Sequence, residues 1–309
     1  MHNLLQIGDI TDAMRSRLEV VFKIHKLGEG DYPNEKITHV ATNGHDGVPA
    51  EIMAGLPNLK LISCYGVGYD AIDTNKAAER GILVTHTPNV LNAEVASTAI
   101  LLMLASYRNF LTNEAHARSG KWETGNAPLS YSADNRKVGI LGLGRIGQAI
   151  ADKLEAFNAD IHYHTRNKKE VLYTYHASLK DMAEVVDVLI CITPGGPSTN
   201  QIVNAEVIDA LGPEGRLINV SRGSVVDETA MVAALKEGRL GYAALDVFHG
   251  EPRIPDALKT MSNVILLPHV GSATHETRAA MGALVVDNLL EQIKSGQVIT
   301  SVPETAHLT

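Results

Sequence analysis

A glycine-rich segment near the middle of the chain has the spacing that binds a dinucleotide. Gly142, Gly144 and Gly147 fit the pattern GxGxxG, with Arg145 and Ile146 before the last glycine. The apolar run VGIL precedes the motif and the amphipathic run IGQAIADKLEAF follows it, which predicts a strand, a tight turn and a helix. The free amides and the positive dipole end of such a helix hold a pyrophosphate. A glycine-rich turn that binds no ligand is the alternative.

The segment after the next predicted strand indicates which dinucleotide would fit. A domain that prefers NAD carries Asp or Glu at the end of this strand, roughly 20 residues after the glycines. Here Asp160 opens the strand instead. The residues that follow its end are hydrogen-bond donors and cations: Thr165, Arg166, Asn167, Lys168 and Lys169. Such a cluster suits a 2′-phosphate, so we expect NADPH to be the preferred cofactor and NADH the weaker one; a solvated basic loop is the alternative.

Further ionisable residues stand where later strands are predicted to end. Arg222 follows the run RLINVS, Asp246 follows YAAL, Glu251 comes a short turn later and His269 follows VILLP. In open parallel sheets, ligands bind at the carboxyl ends of the strands. We therefore expect these side chains to line one site, although each of them singly has an ordinary structural explanation.

The elements that must position these residues alternate between strand-like and helix-like segments. In the first hundred residues, LLQIG, VFKIHK, THVATN, KLISCY and GILVTHT predict strands. A second series contains KVGILGLG, DIHYHTR, DVLICIT, RLINVSRG, YAALDVF and VILLPHV. Alternation with helices predicts parallel sheets, so the expected fold class is α/β with two doubly wound parallel-sheet domains.

The position of the glycine motif predicts how the two domains are connected. About 140 residues precede it, which an inserted dinucleotide domain would explain. We expect residues 1–98 and 286–309 to form the substrate-binding domain and residues 99–285 the dinucleotide-binding domain. A helix from about 93 to 110 is apolar on nearly all sides for two turns, so we expect it to be buried between the domains.

The amino-acid composition indicates which classes of binding partner and metal site are not expected. The chain has 309 residues, of which 27 are basic and 35 acidic, and its formal net charge is −8. This charge argues against nucleic acid or an anionic membrane as the main partner. Cys64 and Cys191 lie in apolar runs without the spacing of metal ligands, so we predict no metal site. No signal-like N-terminus or long apolar run is visible, so a cytoplasmic location is expected.

Several motifs in a fixed order resemble one enzyme family. LISCYGVGYDAID, TPNVLNAEVAS, VGILGLGRIG, LINVSRGSVVD, ALDVFHGEP and LLPHVGSATHETR occur between about residues 40 and 300. Together they resemble the D-isomer-specific 2-hydroxyacid dehydrogenases, and the chain is most similar to the glyoxylate, hydroxypyruvate and hydroxyphenylpyruvate reductases among them. The resemblance implies a Rossmann dinucleotide-binding domain inserted into a flavodoxin-like substrate domain. Ser97 departs from the pattern, because many relatives carry an acidic residue there.

The resemblance also implies catalytic roles. His269 would protonate the keto oxygen as hydride arrives, Glu251 would keep His269 protonated, and Arg222 would bind the substrate carboxylate and polarise the carbonyl. Imidazole titrates near neutral pH, a neighbouring carboxylate favours its charged form, and a planar guanidinium suits a carboxylate. The backbone amides of Val67 and Gly68 would bind the same carboxylate.

The remaining implied roles concern the cofactor, the substrate and assembly. Ser272 would contact the substrate, and a homodimer would form. Besides the glycine turn and the basic segment, the cofactor-binding positions would include Thr193, Pro194, Val220, Asp246, His269 and Gly271.

Several alternatives remain open from the sequence. Glyoxylate and hydroxypyruvate are the first substrates expected, with bulkier 2-keto acids of the hydroxyphenylpyruvate or 2-ketogluconate type behind them. L-lactate or malate dehydrogenases carry the glycine motif near the N-terminus, and formate dehydrogenase carries Gln shortly before its His, where Leu267-Pro268 stand here. A nucleotide-sensing binding module or corepressor of the same fold is the alternative from another class.

Overall fold

The computed structural model describes every residue from Met1 to Thr309. The chain forms two compact units, which we call unit 1 (Met1–Leu91 with Ser272–Thr309) and unit 2 (Asn92–Gly271). Unit 2 is thus inserted into unit 1 along the chain, and each unit contains one parallel sheet. The predicted α/β class with two parallel-sheet domains is confirmed.

The elements follow one another in strict alternation over much of the chain. The strands are β1 His2–Gln6, β2 Phe22–Lys26, β3 Ile37–Asn43, β4 Leu61–Tyr65, β5 Leu83–Thr85, β6 Lys137–Leu141, β7 Asp160–His164, β8 Thr174–Tyr175, β9 Val188–Cys191, β10 Arg216–Asn219, β11 Tyr242–Leu245 and β12 Val264–Leu266. The helices are α1 Asp12–Leu18, α2 Ala50–Ala54, α3 Thr74–Glu79, α4 Asn92–Tyr107, α5 Phe110–Arg118, α6 Arg145–Leu154, α7 Leu179–Ala183, α8 Ala205–Leu211, α9 Glu228–Glu237, α10 Asp256–Lys259 and α11 His275–Ser295. Short 3₁₀ turns cover Asn34–Lys36, Lys121–Glu123, Glu155–Phe157, Gly223–Val225 and Ala306–Leu308.

The sheet of unit 1 has five strands in the order β2-β1-β3-β4-β5. Successive side chains of a strand point to opposite faces, so adjacent residues enter different clusters. Leu5 and Ile62 pack with residues of α2 and α3, whereas Leu4 and Leu61 pack with residues of α1 and α11. Because both faces are covered, the side chains of both faces are buried in β4 and β5.

The sheet of unit 2 has seven strands in the order β12-β11-β10-β9-β6-β7-β8. The strand order reverses at β6, which pairs with β7 on one side and with β9 on the other. The crevice at the carboxyl ends of β6 and β9 is the position where sheets of this type bind ligands. The edge strand β8 is not predicted from the sequence, because two residues are too few to show a strand pattern.

At most helix N-termini, a side chain accepts a hydrogen bond from a free backbone amide. The capping residues are Thr11, Asp73, Ser178, Asn204, Asp227 and Thr274. Such caps satisfy amides that have no partner inside the helix. Helix α6 is among the helices without such a cap, because its N-cap is Gly144 and makes no side-chain hydrogen bond.

The long apolar helix predicted at about 93–110 corresponds to α4, which ends at Tyr107. The chain then bends at Asn109 before α5 begins, and Asn109 adopts the left-handed conformation with φ of 46°, a conformation that Asn tolerates better than most residues. Helix α4 packs on α6, β10 and β11 within unit 2. No single helix is long and apolar enough to cross a membrane; only α4 and α5 taken together, with a 65° bend between them, meet the length and composition criteria.

The boundaries of the two units differ from those predicted. The sequence placed them at 98/99 and 285/286, which lie inside α4 and α11, whereas the compact units divide at 91/92 and 271/272. The reason is packing: α4 contacts elements of unit 2, and α11 contacts α1 and β4 of unit 1. Each helix therefore belongs to one unit over its whole length.

Candidate active site

The glycine turn joins β6 to α6 at the switch point of the unit 2 sheet. Gly142 has φ of +100°, and a Cβ atom there would lie 2.9 Å from the carbonyl oxygen of Ile192. A Cβ on Gly147 would collide with the carbonyl of Gly142. Both positions therefore exclude any side chain, for the steric reasons that the motif implies.

Gly144 is the position in this turn that faces open space. No atom lies within 4 Å of the place where its Cβ would be, and no side chain caps the amides of Arg145 and Ile146 that follow. Uncapped amides at the positive end of a ten-residue helix attract an anion. The turn thus has the shape and the polarity that a dinucleotide pyrophosphate requires.

Two further segments lie beside this turn. Thr193 and Pro194 follow β9, and the amide nitrogen of Thr193 would lie 3.0 Å from a Cβ on Gly142. Val220 follows β10, and its amide donates to Cys191 at 3.2 Å. The structure therefore places these three predicted cofactor positions at adjacent carboxyl ends of the sheet.

The basic segment after β7 is held by its backbone and leaves its cations exposed. The hydroxyl of Tyr163 donates to the Lys169 carbonyl (3.1 Å) and accepts from the Lys169 amide (2.9 Å). The Thr165 hydroxyl donates to the Asn167 carbonyl at 2.7 Å. The side chains of Arg166, Lys168 and Lys169 are exposed and form no ion pair. The segment can therefore offer positive charge to a phosphate without first breaking an internal salt bridge.

His269 and Glu251 form a direct pair. The His269 Nδ1 atom lies 2.7 Å from Glu251 Oε2, and the other carboxylate oxygen accepts from the Phe248 amide at 2.9 Å. An unprotonated carboxylate only accepts, so Nδ1 carries the proton of this hydrogen bond. The Nε2 atom makes no hydrogen bond and is the ring nitrogen that can exchange a proton with a ligand. The imidazole is 45% exposed and the carboxylate 19%, so the pair is reachable from solvent on the histidine side.

Asp246 holds the backbone that presents His269. Its carboxylate accepts from the amides of Val270 (2.7 Å) and Gly271 (2.8 Å), and its carbonyl accepts from the His269 amide (2.8 Å). His269 itself adopts the left-handed conformation, with φ of 55°, which is costly for a residue other than glycine. Burial raises the pKa of Asp246, and the two amide hydrogen bonds act in the opposite direction. The structure thus shows a positioning role for Asp246, and its direct contact with the cofactor stays a prediction.

Arg222 begins the short turn after β10, and Asn219 fixes that turn. The Asn219 side chain donates to the Arg222 carbonyl at 2.9 Å and accepts from the amide and the hydroxyl of Ser221. A Cβ on Gly223 would collide with the backbone of Phe248. Asn219 and Gly223 are therefore positions that sequence reasoning missed, although both lie in the NVSRG segment that was singled out.

The substrate positions Val67, Gly68 and Ser272 belong to unit 1. Val67 and Gly68 lie in the turn after β4, and neither of their amides has an acceptor. Ser272 is the first residue after the chain returns from unit 2, and its carbonyl accepts from the Thr274 amide at 3.0 Å. The structure brings His269, Glu251, Arg222, Asp246 and the glycine turn to one edge of the unit 2 sheet, and the three unit 1 positions remain predictions.

Known proteins resemble this chain over most of its length. The family model described as D-isomer specific 2-hydroxyacid dehydrogenase, NAD binding domain, matches residues 100–271. The hydroxyphenylpyruvate reductase of Plectranthus scutellarioides is 46% identical over 269 residues, covering 87% of this chain and 86% of that protein. The 2-ketogluconate reductase of Gluconobacter oxydans is 41% identical over 304 residues, covering 97% of this chain and 98% of that protein.

A solved structure matches over nearly the whole length. It is the NADPH-dependent glyoxylate/hydroxypyruvate reductase of Sinorhizobium meliloti in complex with NADP and malonate, with a TM-score of 0.94 and 46% sequence identity. The match covers 98% of this chain and 97% of that one. The family model covers residues 100–271, and fold and sequence identity agree over both units, so the chain belongs to the D-isomer-specific 2-hydroxyacid dehydrogenase family.

Proposed function

We propose that the protein is an NADPH-preferring reductase that converts small 2-keto acids, glyoxylate and hydroxypyruvate first, into D-2-hydroxy acids. The observation that carries the proposal is the 2.7 Å pair of His269 and Glu251, which stands on the same sheet edge as a dinucleotide turn. A proton donor beside a nicotinamide site is what carbonyl reduction requires. The comparisons support the same reaction class, because the relatives named above are reductases of 2-keto acids.

The bound cofactor would supply the hydride, and the chain would supply the proton and the binding groups. His269 would give a proton from Nε2 to the keto oxygen, while Glu251 would stabilise the imidazolium through Nδ1. Arg222 would bind the substrate carboxylate and stabilise the negative charge that develops on the oxygen. The amides of Val67 and Gly68 are proposed to bind the carboxylate as well, and Ser272 to contact the substrate.

The preference for NADPH rests on the segment after β7. Thr165, Arg166 and Lys168 follow the strand, and no carboxylate stands there to bind a ribose hydroxyl or to repel a phosphate. The cations are exposed and unpaired, which favours a 2′-phosphate. The presence of NADP in the Sinorhizobium meliloti relative supports the same choice.

We also propose a homodimer built on unit 2. Five large apolar side chains between α4 and the segment after α5 are exposed: Leu101, Phe110, Leu111, Trp122 and Leu129. Such a concentration on one stretch of a folded chain is typical of an interaction surface. A second copy of the chain is the proposed occupant, and light scattering of the purified protein tests it. The cytoplasmic location expected from the sequence stays a prediction.

Steady-state kinetics with both cofactors test the proposed function. The purified protein is given NADPH or NADH with glyoxylate, hydroxypyruvate, hydroxyphenylpyruvate or 2-ketogluconate, and the loss of absorbance at the nicotinamide band is followed. We expect the highest kcat/KM for NADPH with glyoxylate or hydroxypyruvate and a D-configured product. A maximum on 2-ketogluconate would favour the bulkier substrate class, and NADPH binding without turnover on any keto acid would favour a sensing module.

A further inference from the structure

In the turn between β4 and α3, the carbonyl groups of Gly66, Val67 and Gly68 accept hydrogen bonds, whereas two backbone amides donate none. The Gly66 carbonyl accepts from the Thr87 amide at 2.8 Å, and the Val67 carbonyl accepts from His86 Nδ1 at 3.0 Å. The Gly68 carbonyl accepts from the Cys64 thiol at 3.8 Å. The amides of Val67 and Gly68 donate to no group. The turn is therefore asymmetric, with its acceptors satisfied and its donors available.

The geometry of the peptide bond links the two observations. The peptides of this turn are trans, and a trans peptide directs its C=O and its N–H to opposite sides. The peptide between Val67 and Gly68 has its carbonyl turned toward His86, so its N–H points away from His86. The preceding peptide has its carbonyl turned toward Thr87 in the same way. Both amides therefore point away from the groups that bind their carbonyls, and both remain available to donate to an anion.

His86 is held firmly enough to set this orientation. Its amide donates to the Thr300 carbonyl at 3.2 Å, and its carbonyl accepts from the Thr300 hydroxyl at 2.7 Å. The buried side chain of Asn288 holds the same threonine through its amide and its hydroxyl. The imidazole ring packs against the ring of Tyr69 in a T-shaped arrangement, with ring centroids 5.3 Å apart and planes at 89°. The ring therefore has its backbone and one side fixed before any ligand binds.

We propose that His86 is a positioning residue for the substrate carboxylate. A carbonyl oxygen only accepts, so Nδ1 must carry the proton of the 3.0 Å hydrogen bond to Val67. That bond keeps the Gly68 N–H aimed at the place where a carboxylate would lie. The inference rests on the proposed function, because it assumes that the Val67–Gly68 turn binds the carboxylate of a 2-keto acid.

Two variants of His86 separate positioning from general stability. His86→Phe keeps an aromatic ring beside Tyr69 and removes the donor, whereas His86→Asn returns an N–H donor near the position of Nδ1. We expect His86→Phe to raise KM for glyoxylate and hydroxypyruvate about three- to tenfold, the effect of losing one neutral hydrogen bond. The dissociation constant of oxamate, an unreactive carboxylate analogue, should rise by the same factor. The kcat value and KM for NADPH should change less than about twofold, and His86→Asn should recover most of the loss.

The outcomes are distinguishable from a failure of the proposed function. Unchanged KM and oxamate affinity in His86→Phe would overturn the positioning role, and so would a parallel rise in KM for NADPH, which would indicate a general loss of structure. If the native enzyme reduces no 2-keto acid, the proposed function fails, and calorimetric titration with oxamate still decides the role of His86. Should His86→Phe melt well below the native protein, Thr300→Val, which removes the hydroxyl bonded to the His86 carbonyl, is expected to weaken oxamate binding in the same direction. Unaltered binding in that variant counts against the proposal.

Discussion

Two loop regions at the carboxyl edge of the unit 2 sheet hold their charged side chains in opposite ways: the first loop region comprises the segments after β11 and β12, and the second follows β7. After β11 and β12, both oxygens of Asp246 and of Glu251 accept hydrogen bonds from specific partners. After β7, Arg166 and Lys168 are exposed and form no ion pair. In the first loop region, hydrogen bonds fix the positions of individual side-chain atoms, whereas the second only concentrates positive charge.

The difference follows from what each loop has to do. Proton transfer requires one nitrogen at hydrogen-bond distance from one oxygen, so the imidazole has to be oriented through its other nitrogen and its backbone. A phosphate has several equivalent oxygens and two negative charges, and flexible cations can reach it from many directions. Substitutions in the first loop should therefore impair the chemistry, and substitutions in the second should alter only the choice of cofactor.

The largest effect is expected for His269→Ala. Removal of a positioned acid should lower kcat for keto-acid reduction about 10²–10⁴-fold, while KM for NADPH changes little. The exposed His307 supplies the matched control, because His307→Ala removes an imidazole at the far end of the chain and should leave kcat unaltered. Loss of cofactor binding without loss of kcat would reverse the assignment of the two loops.

Arg166→Ala should produce the next largest effect, and on a different parameter. Loss of a charge-assisted contact with the 2′-phosphate, worth roughly 1.5–3 kcal/mol, should raise KM for NADPH about tenfold to a hundredfold and leave KM for NADH nearly the same. The control is Lys236→Ala, which removes an exposed, unpaired cation on α9. Equal use of both cofactors by the native enzyme would show that this loop does not select between them.

Glu251→Gln should lower the rate of reduction without abolishing it. A glutamine amide can still accept the 2.7 Å hydrogen bond from His269 Nδ1, but it carries no charge to stabilise the imidazolium. We expect kcat/KM for keto-acid reduction to fall about tenfold, the effect of replacing a charge-assisted hydrogen bond by a neutral one, while KM for NADPH changes little. The measurement is kcat/KM at saturating NADPH for both proteins, and equal values would separate Glu251 from the acid–base chemistry.

The smallest effect is expected for Lys168→Ala. A single exposed ammonium on a flexible stem contributes less than a guanidinium, about 0.2–1 kcal/mol. KM for NADPH should rise about two- to fivefold and fall back toward the native value in high salt, because screening weakens exposed charge. An effect as large as that of Arg166→Ala would mean that the loop holds the phosphate through fixed contacts on both side chains.

Local patterns were sufficient for much of the fold. The strand and helix series, the insertion of one unit into the other and the glycine turn were all predicted, because each depends on residues close together in sequence. Helix α5 was not predicted, because it buries no side chain and therefore shows no apolar periodicity; the left-handed residue Asn109 separates it from α4. The unit boundaries were also misplaced, because they depend on which neighbours α4 and α11 pack against.

The sequence by itself determined which residues could act: the glycine turn, the basic segment, and the set Arg222, Glu251 and His269 in the order of one enzyme family. Only the tertiary structure decided how they are held. Three hydrogen bonds join residues 18 or more positions apart: Glu251 with His269 at 2.7 Å, Asp246 with the Gly271 amide, and His86 with the Val67 carbonyl. Hydrogen bonds act over about 3 Å, so residues distant in sequence form them only when the folded sheets bring their strand ends together. Local sequence patterns therefore do not predict these contacts.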